Sequence, residues 1–238
     1  MSYKTTSFWP LLFAAVLIVL FVGCGGDNTG SGPDTAMERT VQDIDGNTYR
    51  VVKIGDQFWM AENLKVTRFR NGDPIPHAME KTDWNGIEDG AYCMYKCDQE
   101  KAATFGHLYN WYAVNDSRNI APAGWHVPTE DDWNELIEFL GGPSEAGGKL
   151  KASGNELWNA PNLGATDEHG FCAMGCGFRH HAGGFYDQKM ACYMWSADER
   201  NSYSAWFRYL CCDSASVKRY IHSSSKGNGY SVRCVKDK

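Results

Sequence analysis

Cysteine is the residue type in this sequence with the widest range of possible chemistry. The chain of 238 residues contains nine cysteines. A thiol can accept a lipid, bind a soft metal ion, act as a nucleophile or pair in a disulfide. Cys24 follows an apolar N-terminal segment, and eight more cysteines lie downstream: Cys93, Cys97, Cys172, Cys176, Cys192, Cys211, Cys212 and Cys234.

The segment before Cys24 has the features of a bacterial export signal. Lys4 supplies a positive charge, and the apolar run over 11–22 is too short to span a membrane comfortably. The string LFVGC at 20–24 resembles the lipobox of bacterial lipoproteins, with Phe21 where leucine is usual. We therefore predict that residues 1–23 are removed and that Cys24 carries a lipid anchor. The alternative is an ordinary cleaved signal beside a chance cysteine.

The residues after Cys24 predict a tether. Residues 24–38 are rich in glycine, serine, asparagine and aspartate, which cannot bury apolar surface, so we expect a flexible link to a domain over 39–238. Gly25 occupies the position where an aspartate would signal retention in the inner membrane. We therefore expect a lipid-anchored protein of the cell envelope, with the outer membrane favoured. The sequence leaves open which face of that membrane the domain occupies.

Two interpretations of the eight downstream cysteines remain open. An even number of cysteines in an exported chain favours disulfides, although eight cysteines allow about a hundred pairings. The alternative is a zinc site built from Cys93-x-x-x-Cys97 and Cys172-x-x-x-Cys176, whose spacing is looser than that of most structural zinc sites. Because an oxidising compartment disfavours free thiolates, we expect disulfides.

The charge of the chain disfavours acidic partners. The sequence has 23 basic and 29 acidic side chains, and removal of residues 1–23 deletes only Lys4, which leaves a net charge of −7 (22 − 29). Such a surface suits neither nucleic acid nor anionic lipid headgroups. Aromatic residues make up 13% of the chain, which suits either a tightly packed domain or a surface that stacks on sugars.

Hairpins and helices are indicated in the first part of the domain. Strand-like segments flank Asp45-Gly46-Asn47, a strong turn signal. The spacing of apolar residues predicts one helix over 101–114. A second helix is predicted to begin after the N-cap residue Thr129. Its apolar residues recur on one face: Trp133, Leu136, Ile137 and Leu140.

Loops and strands are indicated in the second part. The polar stretch 147–169 predicts loops, and five short strand-like segments follow between 177 and 235. Because the strands and helices do not alternate, the order predicts an α+β fold with an antiparallel sheet.

Several strings resemble the Fibrobacter succinogenes major paralogous domain family. They are residues 48–64, FGHLYNWYAVN at 105–115, AGWHVPT at 123–129 and NGYSVRCV at 228–235. The family is similar to the C-type-lectin-like fold and to the formylglycine-generating sulfatase-modifying proteins, here through VPTEDDW at 127–133. The resemblance covers about residues 40–237. It implies two helices packed on a twisted antiparallel sheet, with long loops that carry the function.

A lectin-like fold suggests a calcium-dependent sugar site. The lectin motifs Glu-Pro-Asn, Gln-Pro-Asp and Trp-Asn-Asp are absent from the sequence. Asn162, Asp167 and Glu168 offer oxygen ligands in a predicted loop and are the candidates for holding Ca²⁺. The alternative is that all three are ordinary turn residues. No other cofactor is indicated.

Aromatic stacking is a second route to polysaccharide binding. Trp84, Trp158 and Tyr186 lie in polar, loop-like segments, so they are the candidates for stacking on a sugar ring. The alternative is that they pack in the core.

An oxidase of the formylglycine-generating type is the alternative function. Such an enzyme needs a redox-active cysteine pair in a cleft, and its Cys-x-x-Arg-Tyr-Cys arrangement is missing from this sequence. No Gly-x-Ser-x-Gly nucleophile elbow occurs either. We therefore predict no catalytic residues, and a non-enzymatic module that binds polysaccharide or envelope proteins and does not bind nucleic acid.

Overall fold

The computed structural model describes residues 40–219 and 225–238. The predicted signal peptide, Cys24 and the tether lie outside the described residues. Within the described ranges, none of the helices combines the length and the apolar character needed to cross a membrane.

The described residues form twelve strands, one 3-10 helix and five short α-helices. The strands are β1 (Thr40–Gln42), β2 (Thr48–Ile54), β3 (Gln57–Met60), β4 (Tyr92–Cys93), β5 (Leu108–Tyr109), β6 (Trp125–His126), β7 (Cys176–Arg179), β8 (Phe185–Gln188), β9 (Ala191–Asn201), β10 (Ser204–Cys211), β11 (Lys218–Arg219) and β12 (Val235–Lys236). The helices are α1 (Lys81–Trp84), the 3-10 helix η1 (Tyr95–Cys97), α2 (Gln99–Phe105), α3 (Trp111–Val114), α4 (Glu130–Phe139) and α5 (Ala146–Leu150).

The strands form several sheets. One five-stranded sheet has the order β1-β2-β3-β12-β6, a second has the order β11-β10-β9-β7-β8, and β4 pairs with β5. Strands and helices occur together without regular alternation, which confirms the predicted α+β class. The pairs of strands are antiparallel, as the sequence predicted, with one exception in the described residues: β7 runs parallel to β9, with Gly177 opposite Cys192.

One of the two predicted helices is present in the structure, and the other is not. Helix α4 is confirmed, and Thr129 caps it by accepting a hydrogen bond from the Asp132 amide at 3.2 Å. The helix predicted over 101–114 is wrong, because the chain forms α2, then β5, then α3. The break occurs at Gly106, whose φ is +75° and where a Cβ would lie 2.7 Å from the Cβ of Asn63. A continuous helix cannot pass through that conformation, and no larger residue fits beside Asn63.

The core is largely aromatic. Beneath α4, the ring centroids of Trp59 and Trp133 lie 4.9 Å apart, and Phe171 lies against both rings. This packing anchors α4 to the hairpin formed by β2 and β3. The relative position of that helix and that hairpin determines the cleft described below.

Candidate functional site

Two of the three predicted sugar-stacking residues are buried. Trp84 and Trp158 are both 0% exposed. The indole nitrogen of Trp84 donates to the Gly227 carbonyl at 2.9 Å, and that of Trp158 donates to the Ala173 carbonyl at 2.8 Å. Since neither ring face is accessible to a ligand, the structure corrects the stacking prediction for these two residues.

Tyr186 is the predicted stacking residue that lies on the surface. It belongs to β8, an edge strand, and is 52% exposed. Its ring packs at 5.6 Å from that of Phe178 and at 6.3 Å, edge-on, from that of His180. A role of Tyr186 in sugar binding stays a prediction.

The predicted calcium ligands each face different partners. The Asn162 amide nitrogen donates to the carbonyls of Ala152 and Gly154, at 2.9 and 2.7 Å. One carboxylate oxygen of Asp167 accepts from the Cys172 amide at 2.6 Å, and burial raises the pKa of Asp167.

Glu168 is exposed and lies 3.9 Å from the Lys149 ammonium. In the described part of the chain, no group of three or more histidine, cysteine, aspartate or glutamate side chains has the arrangement to hold a metal ion. The geometry therefore favours the alternative for these residues, in which they shape the loop.

In the described part of the chain the eight downstream cysteines are thiols and not the disulfides that we expected from the sequence. Seven are buried, and Cys97 is half-buried. Buried thiols pack as small apolar side chains. The closest recorded approach of two sulfurs is 3.5 Å, between Cys176 and Cys192, which exceeds the bond length of about 2.05 Å. The residues that the structure has as thiols, where the sequence predicted disulfides, are Cys93, Cys97, Cys172, Cys176, Cys192, Cys211, Cys212 and Cys234.

A cleft of about 470 Å³ lies between α4 and the turn that joins β2 to β3. Its lining residues are Lys53, Ile54, Gly55, Asp56, Gln57, Glu135, Phe139 and His169. The volume falls within the usual range for small-ligand sites.

The Gln57 side chain fixes the two walls of this cleft relative to each other. Its amide nitrogen donates to the Asp132 carbonyl of α4 at 3.1 Å, and its amide oxygen accepts from the Trp59 indole at 3.1 Å. Gln57 is only 4% exposed. A buried amide whose nitrogen and oxygen are both hydrogen-bonded holds the hairpin in one position against the helix.

Phe139 provides an exposed aromatic surface in the cleft. It is 55% exposed, and a Cβ placed on Gly55 would lie 3.0 Å from its Cδ2 atom. The ring therefore rests on the bare backbone of the turn, with the His169 ring centroid 5.7 Å away. Phe139 was not among the binding residues predicted from the sequence. Its position could have indicated an exposed ring, because Phe139 is an apolar residue that lies off the apolar stripe of α4.

Polar and charged groups surround that ring. Lys53 and His169 offer nitrogen atoms, while Asp56 and Glu135 offer carboxylates. Glu135 is held by the Lys238 ammonium at 2.8 Å. The cleft thus combines one apolar plane with hydrogen-bonding groups of both kinds.

Three arginines that the sequence analysis did not single out are buried and join distant segments. Arg179, Arg208 and Arg233 are each at most 1% exposed. Arg233 donates to the Asn63 side chain at 2.9 Å and to the carbonyls of Phe171 and Cys172. Since buried guanidinium groups need several acceptors, these residues hold the loops around the core in fixed positions.

The fold is a mixed α+β domain with a cleft on one side. The family model for the Fibrobacter succinogenes major domain matches residues 52–236. The chain belongs to this family, as its sequence strings indicated. No curated protein and no solved structure gives a significant match to the sequence.

Proposed function

We propose that this protein is a lipid-anchored module of the cell envelope that binds neutral polysaccharide, with a sugar ring stacked on Phe139. The observation that supports the proposal most directly is the exposed phenyl ring on Gly55 within a cleft of about 470 Å³. The proposal is for binding without catalysis.

The chemistry of the cleft suits a sugar. A pyranose ring has an apolar C–H face and a rim of hydroxyl groups, so it requires a flat apolar surface beside donors and acceptors. Phe139 offers the flat surface, and Lys53, Asp56 and Glu135 offer the polar groups. The ring needs little ordering on binding, because Gly55 and His169 already position it.

The charge of the chain favours neutral over anionic glycans. The predicted mature chain has a net charge of −7 (22 − 29), which repels uronate or sulfate groups at a distance. The cleft itself carries both signs of charge. We therefore propose neutral glycans as the ligand class.

Two further features belong to the proposal. The lipobox at 20–24 supports lipid attachment at Cys24, and Gly25 supports the outer membrane as the location. The family strings support a relation to the C-type-lectin-like fold and to the formylglycine-generating proteins. Binding is favoured over an oxidase of that type because the two thiols in contact, Cys176 and Cys192, are at most 1% exposed and cannot meet a substrate.

A binding assay with matched variants tests the polysaccharide site. The purified full chain in detergent is incubated with insoluble cellulose, xylan and their soluble oligosaccharides, with polygalacturonate as the anionic comparison. We expect binding to at least one neutral glycan, and a loss of about tenfold or more in affinity for Phe139→Ala. Tyr203→Ala is the control, because Tyr203 is an exposed aromatic residue (83%) that does not line the cleft.

Three outcomes would contradict this proposal. One is that no neutral glycan in the panel binds. Another is that Phe139→Ala binds as tightly as the wild type. The third is that Tyr186→Ala, not Phe139→Ala, loses binding, which would move the site to the edge strand β8.

A further inference from the structure

Two thiols from neighbouring strands meet inside the core. Cys176 is the first residue of β7, and Cys192 lies in β9 opposite Gly177. Their sulfur atoms are 3.5 Å apart, and the side chains are 1% and 0% exposed. A disulfide needs the sulfurs at about 2.05 Å, so an approach of about 1.5 Å would join them. Because β7 and β9 are neighbouring strands, the two sulfurs would come together through small rotations of the side chains.

Other cysteines have oxygen atoms as hydrogen-bonding partners. The Cys97 thiol donates to the Met79 carbonyl at 3.4 Å. Cys211 interacts with the Asp213 and Tyr209 side chains. The contact between the Cys176 and Cys192 sulfurs lies where β7 runs beside β9.

The surroundings of Cys176 favour its thiolate. The Cys192 thiol is its strongest hydrogen-bonding partner, and the Ser231 hydroxyl donates to the same sulfur at 3.1 Å. Together with the nearby Arg233 guanidinium, these contacts outweigh burial and lower the pKa of Cys176 below its ordinary value. Burial raises the pKa of Cys192. One sulfur is thus prepared to act as a nucleophile toward the other.

We propose that Cys176 and Cys192 form an intramolecular disulfide that joins β7 to β9 in the exported protein. The oxidant is a disulfide of the exported compartment, on a protein or a small molecule. The Cys192 sulfur first forms a mixed disulfide with the oxidant and releases one oxidant thiol. The Cys176 thiolate then attacks the Cys192 sulfur, the mixed S–S bond breaks, and the second oxidant thiol leaves with its electron pair.

The step balances. Two protein thiols and one oxidant disulfide become one protein disulfide and two oxidant thiols. Because both sulfurs are enclosed in the finished fold, the oxidant reaches Cys192 before the core closes, and Cys176 attacks as β7 docks beside β9.

The link would close the base of the hairpin formed by β7 and β8. This hairpin is the edge of its sheet and carries Tyr186. An edge hairpin has a neighbour on one side only, so it is the part of the sheet that opens most easily. A covalent bond at its base restricts that opening.

Differential labelling of the full chain tests the proposal. The protein is made in cells that export it, extracted in detergent, denatured and alkylated without reduction. It is then reduced and treated with a second alkylating reagent. Mass spectrometry of the peptides should show the second label on both Cys176 and Cys192, and a non-reducing digest should contain the two peptides linked. The first label on either residue, or a link from either residue to another cysteine, would overturn the proposal.

A second arm makes the test independent of export. The proposal depends on the proposed export only for its oxidant, so reduced protein unfolded and refolded with oxidised glutathione should form the same link. Refolded protein without the link would overturn the proposal even if the chain proves to be exported. Conversely, a link that forms only in the refolded protein would overturn the disulfide of the exported protein and would indicate that the chain meets no oxidant in the cell.

Thermal unfolding provides a functional readout of the link. Reductant should lower the Tm of the wild type by about 5–10 °C more than that of the Cys176→Ala/Cys192→Ala double variant. Cys97→Ser is the control and should respond to reductant as the wild type does. An equal response of the wild type and the double variant would count against the disulfide.

Discussion

The ring of Phe139 lies directly on Gly55, so that a Cβ at the glycine would come within 3.0 Å of the ring carbon Cδ2. The two residues belong to different elements, the end of α4 and the turn between β2 and β3. Gly55 therefore has two roles at once. Its φ of +60° forms the turn, and its missing side chain leaves room for the exposed ring.

We predict that Gly55→Ala disturbs the cleft as well as the turn. The methyl group would push the Phe139 ring from its position and would strain a backbone with positive φ, at a cost of about 1–3 kcal/mol. We expect a lower free energy of unfolding in urea and weaker binding of neutral glycan.

Gly46→Ala separates these two effects. Gly46 also has a positive φ (+83°), lies in the turn between β1 and β2, and has no atom within 4 Å of its Cβ position. The Gly46→Ala variant should lose about as much stability as Gly55→Ala does, and it should keep the glycan affinity of the wild type. Equal glycan affinity for both variants would show that the contact with Phe139 does not matter for binding.

We predict that Arg233→Met strongly destabilises the fold. The guanidinium is fully buried, and its removal leaves the Asn63 oxygen and the carbonyls of Phe171 and Cys172 without their donor. The expected loss in the free energy of unfolding is about 3 kcal/mol or more. Urea unfolding monitored by tryptophan fluorescence measures it.

Lys101→Met is the matched control for removal of a cation. Lys101 is paired with Asp98 at 2.9 Å on the surface of α2, with both side chains about one-third exposed. Such an exposed pair contributes little to stability. A similar loss in both variants would mean that Arg233 has no special role in joining the loops.

The features that the sequence predicted correctly are local ones. Helix α4 could be recognised because its cap, Thr129, and its apolar stripe lie within one short segment. The first hairpin could be recognised because Asp45-Gly46-Asn47 fixes the turn between β1 and β2.

The features that the sequence did not reveal depend on residues far apart in the chain. The polar neighbours of Trp84 indicated a surface loop, but the Gly227 carbonyl and the Arg179 guanidinium cover its ring. The cleft is a similar case, because Phe139 becomes part of a cleft wall only where the turn at Gly55 passes beneath its ring. No periodicity in the sequence reports on such contacts.

We predict that Cys24 is the residue that holds the protein in the membrane. Cells grown with a radiolabelled fatty acid should incorporate label into the wild-type chain, and Cys24→Ala should carry none and appear in the soluble fraction. The reason is that a lipid chain contributes about 0.8 kcal/mol per buried CH₂ group to membrane binding. Cys97→Ser, which alters the half-buried cysteine of the domain, should label as the wild type does. Label retained in Cys24→Ala would place the anchor elsewhere.

The stability of the fold should depend on pH through His126, which lies between two carboxylates. Its Nε2 atom is 3.0 Å from Asp132 and its Nδ1 atom is 2.7 Å from Asp237. The hydrogen bond with Asp132 is the largest influence and raises the pKa of His126 above its ordinary value of 6.5. Burial opposes ionisation of Asp132, but its hydrogen bonds with His126 and Thr129 outweigh burial and lower its pKa to about 2.

The directions of these two shifts define the pH range of the effect. Since the folded state raises the pKa of His126, the stabilisation is complete below about pH 6.5 and is lost as the pH rises through the raised value. Since the folded state lowers the pKa of Asp132, its contribution is present above about pH 4 and is lost as the pH falls toward 2. We therefore expect His126 and Asp132 to stabilise the fold most between about pH 4 and pH 6.5.

Urea unfolding of the wild type and His126→Gln from about pH 5 to about pH 9 tests this expectation. The wild-type free energy of unfolding should fall across this range relative to that of His126→Gln, because only the wild type loses the charged imidazolium. The Asp237→Asn variant keeps the hydrogen bond between His126 and Asp132 but loses the second carboxylate, which has the weaker influence on the pKa of His126. The pH dependence of its free energy of unfolding should therefore lie between those of the wild type and His126→Gln. Parallel profiles for the wild type and His126→Gln would show that the charge of His126 does not contribute to the stability of the fold.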